Sequence, residues 1–259
     1  GDPSTATVTI AVNQDTNYPV IGNLSGEVNE AGLDATSLAI DAAGDGVGTD
    51  LGTDSTSASE KITNGNLNIT STESFKLFVG GNEITVDATV IGGTYGQLTI
   101  NMDGSYTYIL SENADQSGGA VSDDFTVRVT DATGDTTGDK TLAINILDDV
   151  PQATDDTNSV AEGLGNTTTG DVDGGTEAST GDAADVYGAD GSGGIVGVAV
   201  GDTNTAITNG TGVSSAVAGT YGTLTVLADG SYTYALTAAA VPSAAAADVF
   251  TYTIIDGEG

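Results

Sequence analysis

Carboxylates are the residues of this chain whose type and number could do chemistry. The sequence has 37 Asp and Glu against 4 Lys and Arg, with no His and no Cys, and its formal net charge is −33. Calcium takes roughly six to eight oxygen ligands and tolerates irregular geometry. A large surplus of like charge also opposes compaction unless cations bind or screen it. The composition therefore favours a bound divalent cation, and the oxygen ligands make Ca²⁺ the main candidate cofactor.

Catalysis by these carboxylates finds little support. There is no His base, no Cys nucleophile and no Gly-x-Ser-x-Gly motif. Paired acids can cleave glycosides, but among 37 acids some will be close by chance. We therefore predict that the protein is not an enzyme. The negative charge repels nucleic-acid phosphates and anionic membranes, and no apolar window of about 18 residues could span a bilayer. We expect neither nucleic-acid binding nor membrane insertion.

An internal repeat supplies the elements that must position the acids. Gly93–Leu110 reads GTYGQLTINMDGSYTYIL and Gly219–Leu236 reads GTYGTLTVLADGSYTYAL, with 13 of 18 positions identical. The agreement continues where Asp124–Val127 matches Val249–Tyr252. Self-similarity at a domain-sized period indicates duplicated domains.

The residues of each copy alternate with a period of two. Leu98–Ile100, Tyr106–Tyr108 and Phe125–Val129 place apolar residues at every second position, which is typical of half-buried strands. Asp103-Gly104 and Asp229-Gly230 lie between such runs and predict type I′ hairpin turns. The predicted fold class is all-β, with two tandem β-sandwiches and an extra N-terminal strand. Segments 42–60 and 163–194 are rich in Gly, Asp, Ser and Thr and predict long surface loops.

The copies suggest an unusual division of the chain. Copy one continues beyond Phe125 to an apolar strand at 141–147, whereas copy two ends at Gly259 without a counterpart. Residues 4–12, STATVTIAV, match that strand when Gly259 is joined to Gly1. We predict an orphan, donor-type last strand at 1–13, a sandwich repeat at 14–148 (repeat one) and a second repeat at 149–259 that lacks its last strand (repeat two).

The junction between the repeats is the predicted metal site. In an Ig-like domain, the turn between the last two strands lies at the end where the domain begins, so acids from both segments should meet. Seven acids are predicted ligands there: Asp148, Asp149, Asp155, Asp156, Glu162, Asp256 and Glu258. The equivalent set at the N-terminal end is Asp15, Glu30, Asp131 and Asp135. A solvated acidic linker is the competing interpretation. For the acids of the second long segment a flexible loop is favoured over a site: Asp171, Asp173, Asp182, Asp185 and Asp190.

The repeated motifs resemble a known family. GTYGxLTxxxDGSYTY, then DxFTYTxxDxxG, then DDxPxAxDD, are similar to the VCBS repeat, which supplies tandem extender domains of giant RTX-type bacterial adhesins. The similarity covers 93–151 and 217–259 best and is weaker in the N-terminal halves. It implies cadherin-like or Ig-like sandwiches, type I secretion to the bacterial cell surface, and calcium that rigidifies a rod.

Two kinds of function follow from these expectations. The first is an extracellular stalk, whose repeats contact one another end to end and hold a ligand-binding region outside this chain. The second is a subunit of a head-to-tail filament, in which residues 5–12 fill repeat two of the next molecule by β-strand addition. A repeat split by an inserted domain, or an arbitrary division of a continuous repeat array, would give the same ends.

Overall fold

The structure is a computed structural model, which describes residues 8, 10–11, 17–33, 62–174, 181–203, 205–238 and 246–259. These residues form strands and turns, with one short 3₁₀ turn at Glu30–Gly32 as the helical element among them. The predicted all-β fold class is confirmed. The predicted orphan strand at 1–13 and the loop at 42–60 lie largely or wholly outside the described residues. Of the former, Val8, Ile10 and Ala11 are described, and they are exposed and in no strand.

Repeat one has two main sheets with a core between them. The first sheet runs, in spatial order, β2 (Ser25–Asn29), β11 (Lys140–Leu147), β10 (Val121–Asp131), β5 (Phe75–Val79) and β6 (Asn82–Glu83). The second runs β3 (Ile62–Asn66), β9 (Ser105–Leu110), β8 (Gly96–Ile100) and β7 (Thr89–Gly92). A small extra pair joins β1 (Val20–Ile21) to β4 (Ile69–Thr70). Strand β11 is central to the first sheet, because it pairs antiparallel with β10 and parallel with β2.

Strand β11 also completes the core of repeat one. Its side chains alternate, so that Leu142, Ile144 and Ile146 are buried at 0–3% exposure. They pack in one cluster with Tyr108 and Phe125. Burial of such side chains is worth roughly 1.5–3 kcal/mol each, so this strand contributes a large share of the core energy.

Among the residues that the structure describes, repeat two has fewer strands than repeat one. One sheet runs β12 (Thr167–Asp171), β16 (Ser231–Leu236), β15 (Gly222–Val226) and β14 (Val217–Ala218), and β13 (Ser192–Val200) pairs with β17 (Phe250–Asp256). The prediction of an uninterrupted loop at 163–194 is wrong, since β12 lies within it. The Thr-rich run of β12 pairs with β16 as β3 pairs with β9, and its Gly- and Asp-rich flanks concealed that strand.

The repeated block forms the same hairpin in both copies, but its turn differs from the predicted type I′. Gly104 and Gly230 have φ of +86° and +88°, whereas the preceding Asp residues do not adopt positive φ. Asn101 N–H bonds to Ser105 O, which closes a three-residue loop with the Gly in the left-handed position. Asp103 accepts a hydrogen bond from Ser105 N–H at 2.8 Å, which confirms its structural role.

A buried carboxylate explains why the repeated block is so similar in sequence in the two copies. Asp123 accepts hydrogen bonds from the backbone N–H groups of Thr94, Tyr95 and Gly96 and from the Tyr108 hydroxyl, at 2.7–3.2 Å. In repeat two, Asp248 accepts the equivalent four bonds, from Thr220, Tyr221, Gly222 and Tyr234, at 2.6–3.0 Å. The GTYG turn and the second Tyr of SYTY are therefore parts of one carboxylate-binding unit. Neither Asp was predicted from the sequence to have a structural role.

Candidate metal centre between the repeats

Three acids from separate elements converge where the two repeats meet. One carboxylate oxygen each of Glu30, Asp148 and Asp190 lies within 4.8 Å of the others. Glu30 begins the 3₁₀ turn after β2, Asp148 directly follows β11, and Asp190 precedes β13. We call these three residues the junction cluster. It joins two acids of repeat one to one acid of repeat two.

Glu30 is the most unusual member of the junction cluster because it is completely buried, at 0% exposure. Its Oε1 accepts a hydrogen bond from Ala114 N–H, and its Oε2 accepts one from the Gln116 side-chain amide at 3.0 Å. The pKa of Glu30 is raised to about 8, mainly by burial and to a smaller extent by the charges of Asp190 and Asp149, against the lowering effect of the two hydrogen bonds. The ionised side chain therefore needs a compensating positive charge.

Two acids at the junction, one of them a member of the cluster, accept hydrogen bonds from the other repeat. Glu258 accepts a hydrogen bond from Gln116 N–H at 2.6 Å, and Asp190 accepts one from the Asn113 side-chain amide at 2.8 Å. Both bonds cross from repeat one to repeat two. Burial raises the pKa of Asp148, and the charges of Asp256 and Asp190 add to that rise.

The donors at the junction fit a hard cation. They are carboxylate and amide oxygens, which Ca²⁺ prefers over nitrogen or sulfur. Two buried oxygens in this region, Asp190 Oδ2 and Gln116 Oε1, have no hydrogen-bond partner in the described structure. Buried polar atoms without partners are rare and call for an ion or water. Lys76 and Arg128 are engaged elsewhere, with Glu83 and Asp139 at 3.0 and 3.5 Å.

The structure brings together only some of the acids predicted for the junction. Asp148, Asp149, Asp256 and Glu258 lie there, and they are joined by Glu30 and Asp190, which the sequence analysis had assigned to the other end and to a loop. The remaining predicted residues lie elsewhere or outside the described residues: Asp155, Asp156, Glu162, Asp131, Asp135 and Asp15.

The structure describes the surroundings of four of these acids: Asp155, Asp156, Glu162 and Asp131. Asp155 and Glu162 are exposed, and Asp156 points into repeat two, where it bonds to Ala183 N–H at 2.8 Å. Asp131 closes the turn after β10 by accepting hydrogen bonds from the backbone of residues 133–135. Asp15 lies outside the described residues. The N-terminal set is therefore not assembled within the described part of one chain.

A second acidic group lies inside repeat two, around Tyr252. Its hydroxyl is 2.9 Å from Asp156 Oδ2 and 3.1 Å from Asp185 Oδ1, and 2.9 and 3.2 Å from the carbonyl oxygens of Thr154 and Val172. One hydroxyl proton can satisfy only one of these four acceptors at a time. The pKa of Asp185 is raised to about 6, mainly by burial and to a smaller extent by the charge of Asp156. Around Tyr252, the interior of repeat two therefore has more hydrogen-bond acceptors than donors.

Comparisons with known proteins do not assign this chain to a family. No family model and no curated protein matches it. Among solved structures, one titled "Anomalous substructure of Titin-A168169" aligns at 9% identity and a TM-score of 0.27, over 92% of this chain and 97% of that one. A similarity this low carries no argument about function. Within the described residues, no helix is long and apolar enough to cross a membrane.

Proposed function

We propose that this chain is a non-catalytic, calcium-stiffened structural module on the bacterial cell surface, an extender of a large adhesin. The observation that carries the proposal is the junction cluster, in which Glu30 and Asp148 of repeat one meet Asp190 of repeat two. The repeated motifs and their resemblance to adhesin extenders supply the setting. In this role the repeats contact their neighbours end to end, and the adhesin's ligand is bound by regions outside this chain.

Calcium would be held by the junction cluster, with carbonyl, amide or water oxygens completing the coordination sphere. The cation compensates the negative charges of the buried Glu30 and of Asp190. These acids lie close together, since the charge of Asp190 contributes to the raised pKa of both Glu30 and Asp148. A cation that binds residues of both repeats limits their relative motion. A run of such junctions makes a rod that resists bending and proteolysis.

A calcium titration tests the proposed site. Isothermal titration of the chelator-treated protein should show binding that Asp190→Asn weakens at least about tenfold, since one charged ligand is worth about 1.4 kcal/mol or more. Asp155→Asn is the matched control, because Asp155 is an exposed acid of repeat two that lies outside the junction cluster. Equal calcium affinity in the wild type and in Asp190→Asn would contradict the proposed site. Loss of affinity in Asp155→Asn would show that calcium binds at a different group of acids.

The location is tested separately. Antibody raised against this chain should label intact cells, and protease added outside the cells should remove the label. Label that appears only after the cells are broken would contradict the proposed surface location while leaving the metal site untouched.

A further inference from the structure

Inside repeat two, the hydroxyl of Tyr252 lies at the centre of four other oxygens. Thr154 O, Asp156 Oδ2, Val172 O and Asp185 Oδ1 are all within 3.2 Å of it. We call the hydroxyl and these four oxygens the Tyr252 group. A tyrosine hydroxyl has one proton to donate, so three of the four short contacts hold no hydrogen when both acids are ionised. Contacts of that kind between negative oxygens are repulsive unless a positive charge lies among them.

Repeat one has an apolar side chain at the position of Tyr252. The match of Asp124–Val127 to Val249–Tyr252 makes Val127 the counterpart of Tyr252. Val127 is 0% exposed and belongs to the hydrophobic cluster of repeat one. The tyrosine therefore carries a polar oxygen into a region that is hydrocarbon in the other copy of the same fold.

The backbone beside the Tyr252 group also differs from that of repeat one. Leu67 and Val172 occupy corresponding positions, because each donates its N–H to the glycine of the repeated hairpin. The carbonyl oxygen of Leu67 accepts hydrogen bonds from the N–H groups of Gly22 and Asn23, at 3.0 and 3.1 Å. The carbonyl oxygen of Val172 accepts none from the backbone of the described residues and lies 3.2 Å from the Tyr252 hydroxyl. A main-chain oxygen that is paired in repeat one is therefore available as a ligand in repeat two.

Asp185 has a buried oxygen that no donor in the described structure satisfies. The residue is only 9% exposed. Its Oδ1 accepts a hydrogen bond from Thr154 N–H at 2.7 Å and lies 3.1 Å from the Tyr252 hydroxyl. Its Oδ2 has no hydrogen-bond partner, and it lies beside the Tyr252 group because both oxygens are bonded to one carbon. Buried carboxylate oxygens without a partner are rare and call for an ion or a water.

We propose that a calcium ion binds inside repeat two, at the Tyr252 group. Asp156 and Asp185 supply two negative charges, and the carbonyl oxygens of Thr154 and Val172 supply two neutral ligands. Carboxylates together with backbone carbonyls are the donor set that Ca²⁺ prefers, and the tyrosine hydroxyl and water complete a sphere of about six to eight oxygens. The ion places a positive charge among oxygens that otherwise repel one another.

A metal ion is favoured over a side-chain counter-charge because repeat two contains no cationic residue. The chain has no His, and its four Lys and Arg residues all belong to repeat one: Lys61, Lys76, Arg128 and Lys140. Two carboxylates suit a divalent ion. Calcium is favoured over magnesium, because Mg²⁺ demands near-ideal octahedral geometry and retains several waters, whereas the Tyr252 group offers irregularly placed protein oxygens.

The inference goes beyond the proposed function, since every ligand lies within repeat two and no side chain of repeat one takes part. The internal site also differs from the junction in charge. The Tyr252 group has two carboxylates, whereas the junction cluster has three, and the number of charged ligands is one of the factors that set calcium affinity. The internal site should therefore fill at a higher calcium concentration than the junction.

Isothermal calcium titration of the full chain tests the internal site and separates it from the junction. The wild type should show a tighter and a weaker site. Asp185→Asn should weaken only the weaker site, and Asp190→Asn only the tighter one, each at least about tenfold. The control Asp155→Asn, which changes an exposed acid next to Asp156, should alter neither. A weaker site that is unchanged in Asp185→Asn would overturn this proposal, whereas a tighter site that is unchanged in Asp190→Asn would contradict the junction alone.

Thermal unfolding gives a readout that a purely structural role of Asp185 would not change. Asp185→Asn keeps an acceptor for Thr154 N–H and the Tyr252 hydroxyl but removes one charge. In chelator at pH 7 the variant should be the more stable, because an uncompensated buried charge has been removed. In saturating calcium this advantage should shrink, because the wild type gains more from the bound ion. An advantage of the same size in chelator and in calcium would contradict the proposal.

Discussion

Asp123 shows how one side chain can organise a whole turn. Its carboxylate accepts three backbone hydrogen bonds from the GTYG turn and one from Tyr108 while only 2% exposed. Hydrogen bonds to a charged group contribute roughly 1.5–3 kcal/mol each when the partner is otherwise buried and unsatisfied. The sequence suggested hairpins and a tyrosine core, but an acid some 27 residues from its donors leaves no local pattern.

Replacement of Asp123 should therefore destabilise repeat one. We expect Asp123→Ala to lower the free energy of unfolding by about 3 kcal/mol, because several donors lose their acceptor at once. Urea unfolding followed by tyrosine fluorescence measures the change. The control is Asp124→Ala, an exposed neighbour on the same strand, which should cost less than about 0.5 kcal/mol. Equal effects of the two variants would contradict the role assigned to Asp123.

Asp185 gives repeat two a specific pH dependence. Its pKa is raised to about 6 by burial in the folded protein, whereas an unfolded Asp titrates near 4. Below about pH 4 the group is protonated in both states and has no effect; between pH 4 and 6 the folded state alone binds the proton; above pH 6 the buried charge is fully destabilising. Stability of repeat two should therefore fall as the pH rises from about 4 to 6 and remain low above it.

The variant Asp185→Asn isolates this effect. It keeps an acceptor for Thr154 N–H and Tyr252 O–H but removes the charge. In the presence of chelator at pH 7, repeat two should be stabilised by on the order of 2 kcal/mol relative to the wild type, and the difference should vanish near pH 4. Thermal unfolding from pH 4 to 8 measures it. A difference that is constant over this range would show that ionisation of Asp185 is not its cause.

At the scale of elements, the close approach of Asp123 explains the glycine that opens the repeated block. A Cβ at Gly93 would collide with the Asp123 carboxylate, whereas a Cβ at the adjacent Gly92 would meet nothing within 4 Å. Gly93→Ala should cost about 2 kcal/mol or more, since the turn has to move away from its acceptor. Gly92→Ala is the matched control and should be neutral within about 0.5 kcal/mol. Equal melting temperatures of the two variants would contradict this account of the block.

The strands were predictable where local pattern and packing agreed. Alternation identified β8, β9 and β10, because each has one face in the core. It missed β12, whose Thr and Gly residues carry no apolar alternation and whose pairing with β16 is set by tertiary structure. The turn type was also missed, since a three-residue loop and a type I′ turn both place Gly in the left-handed region.

The site was predictable in its location more than in its members. The repeat and the topology of an Ig-like domain together placed Asp148 near Asp256, because the turn between the last two strands lies at the end where the domain begins. Asp190 was hidden in a segment with many acids and no distinguishing spacing. Glu30 was assigned to the wrong end of repeat one, since the sequence does not show that β2 runs toward repeat two.

At the scale of the whole molecule, the two repeats should differ in stability. Repeat one has 17 buried residues in its hydrophobic cluster and repeat two has 6 among the described residues. In chelator, calorimetry should therefore show two transitions, with repeat two unfolding first. Leu236→Ala should lower the midpoint temperature of only the first transition, and Leu110→Ala that of only the second. Each substitution should reduce the free energy of unfolding of its repeat by about 2–4 kcal/mol. A single transition shifted equally by both variants would contradict independent cores.

Calcium should link these two halves, and thermal unfolding in calcium and in chelator is the most direct measurement of that claim. A ligand that binds only the folded junction at 100 times its dissociation constant stabilises it by about 2.7 kcal/mol. We expect the lower melting temperature to rise by about 10 °C in calcium, and Asp190→Asn to lose most of that rise. Identical unfolding curves in calcium and in chelator would contradict the account.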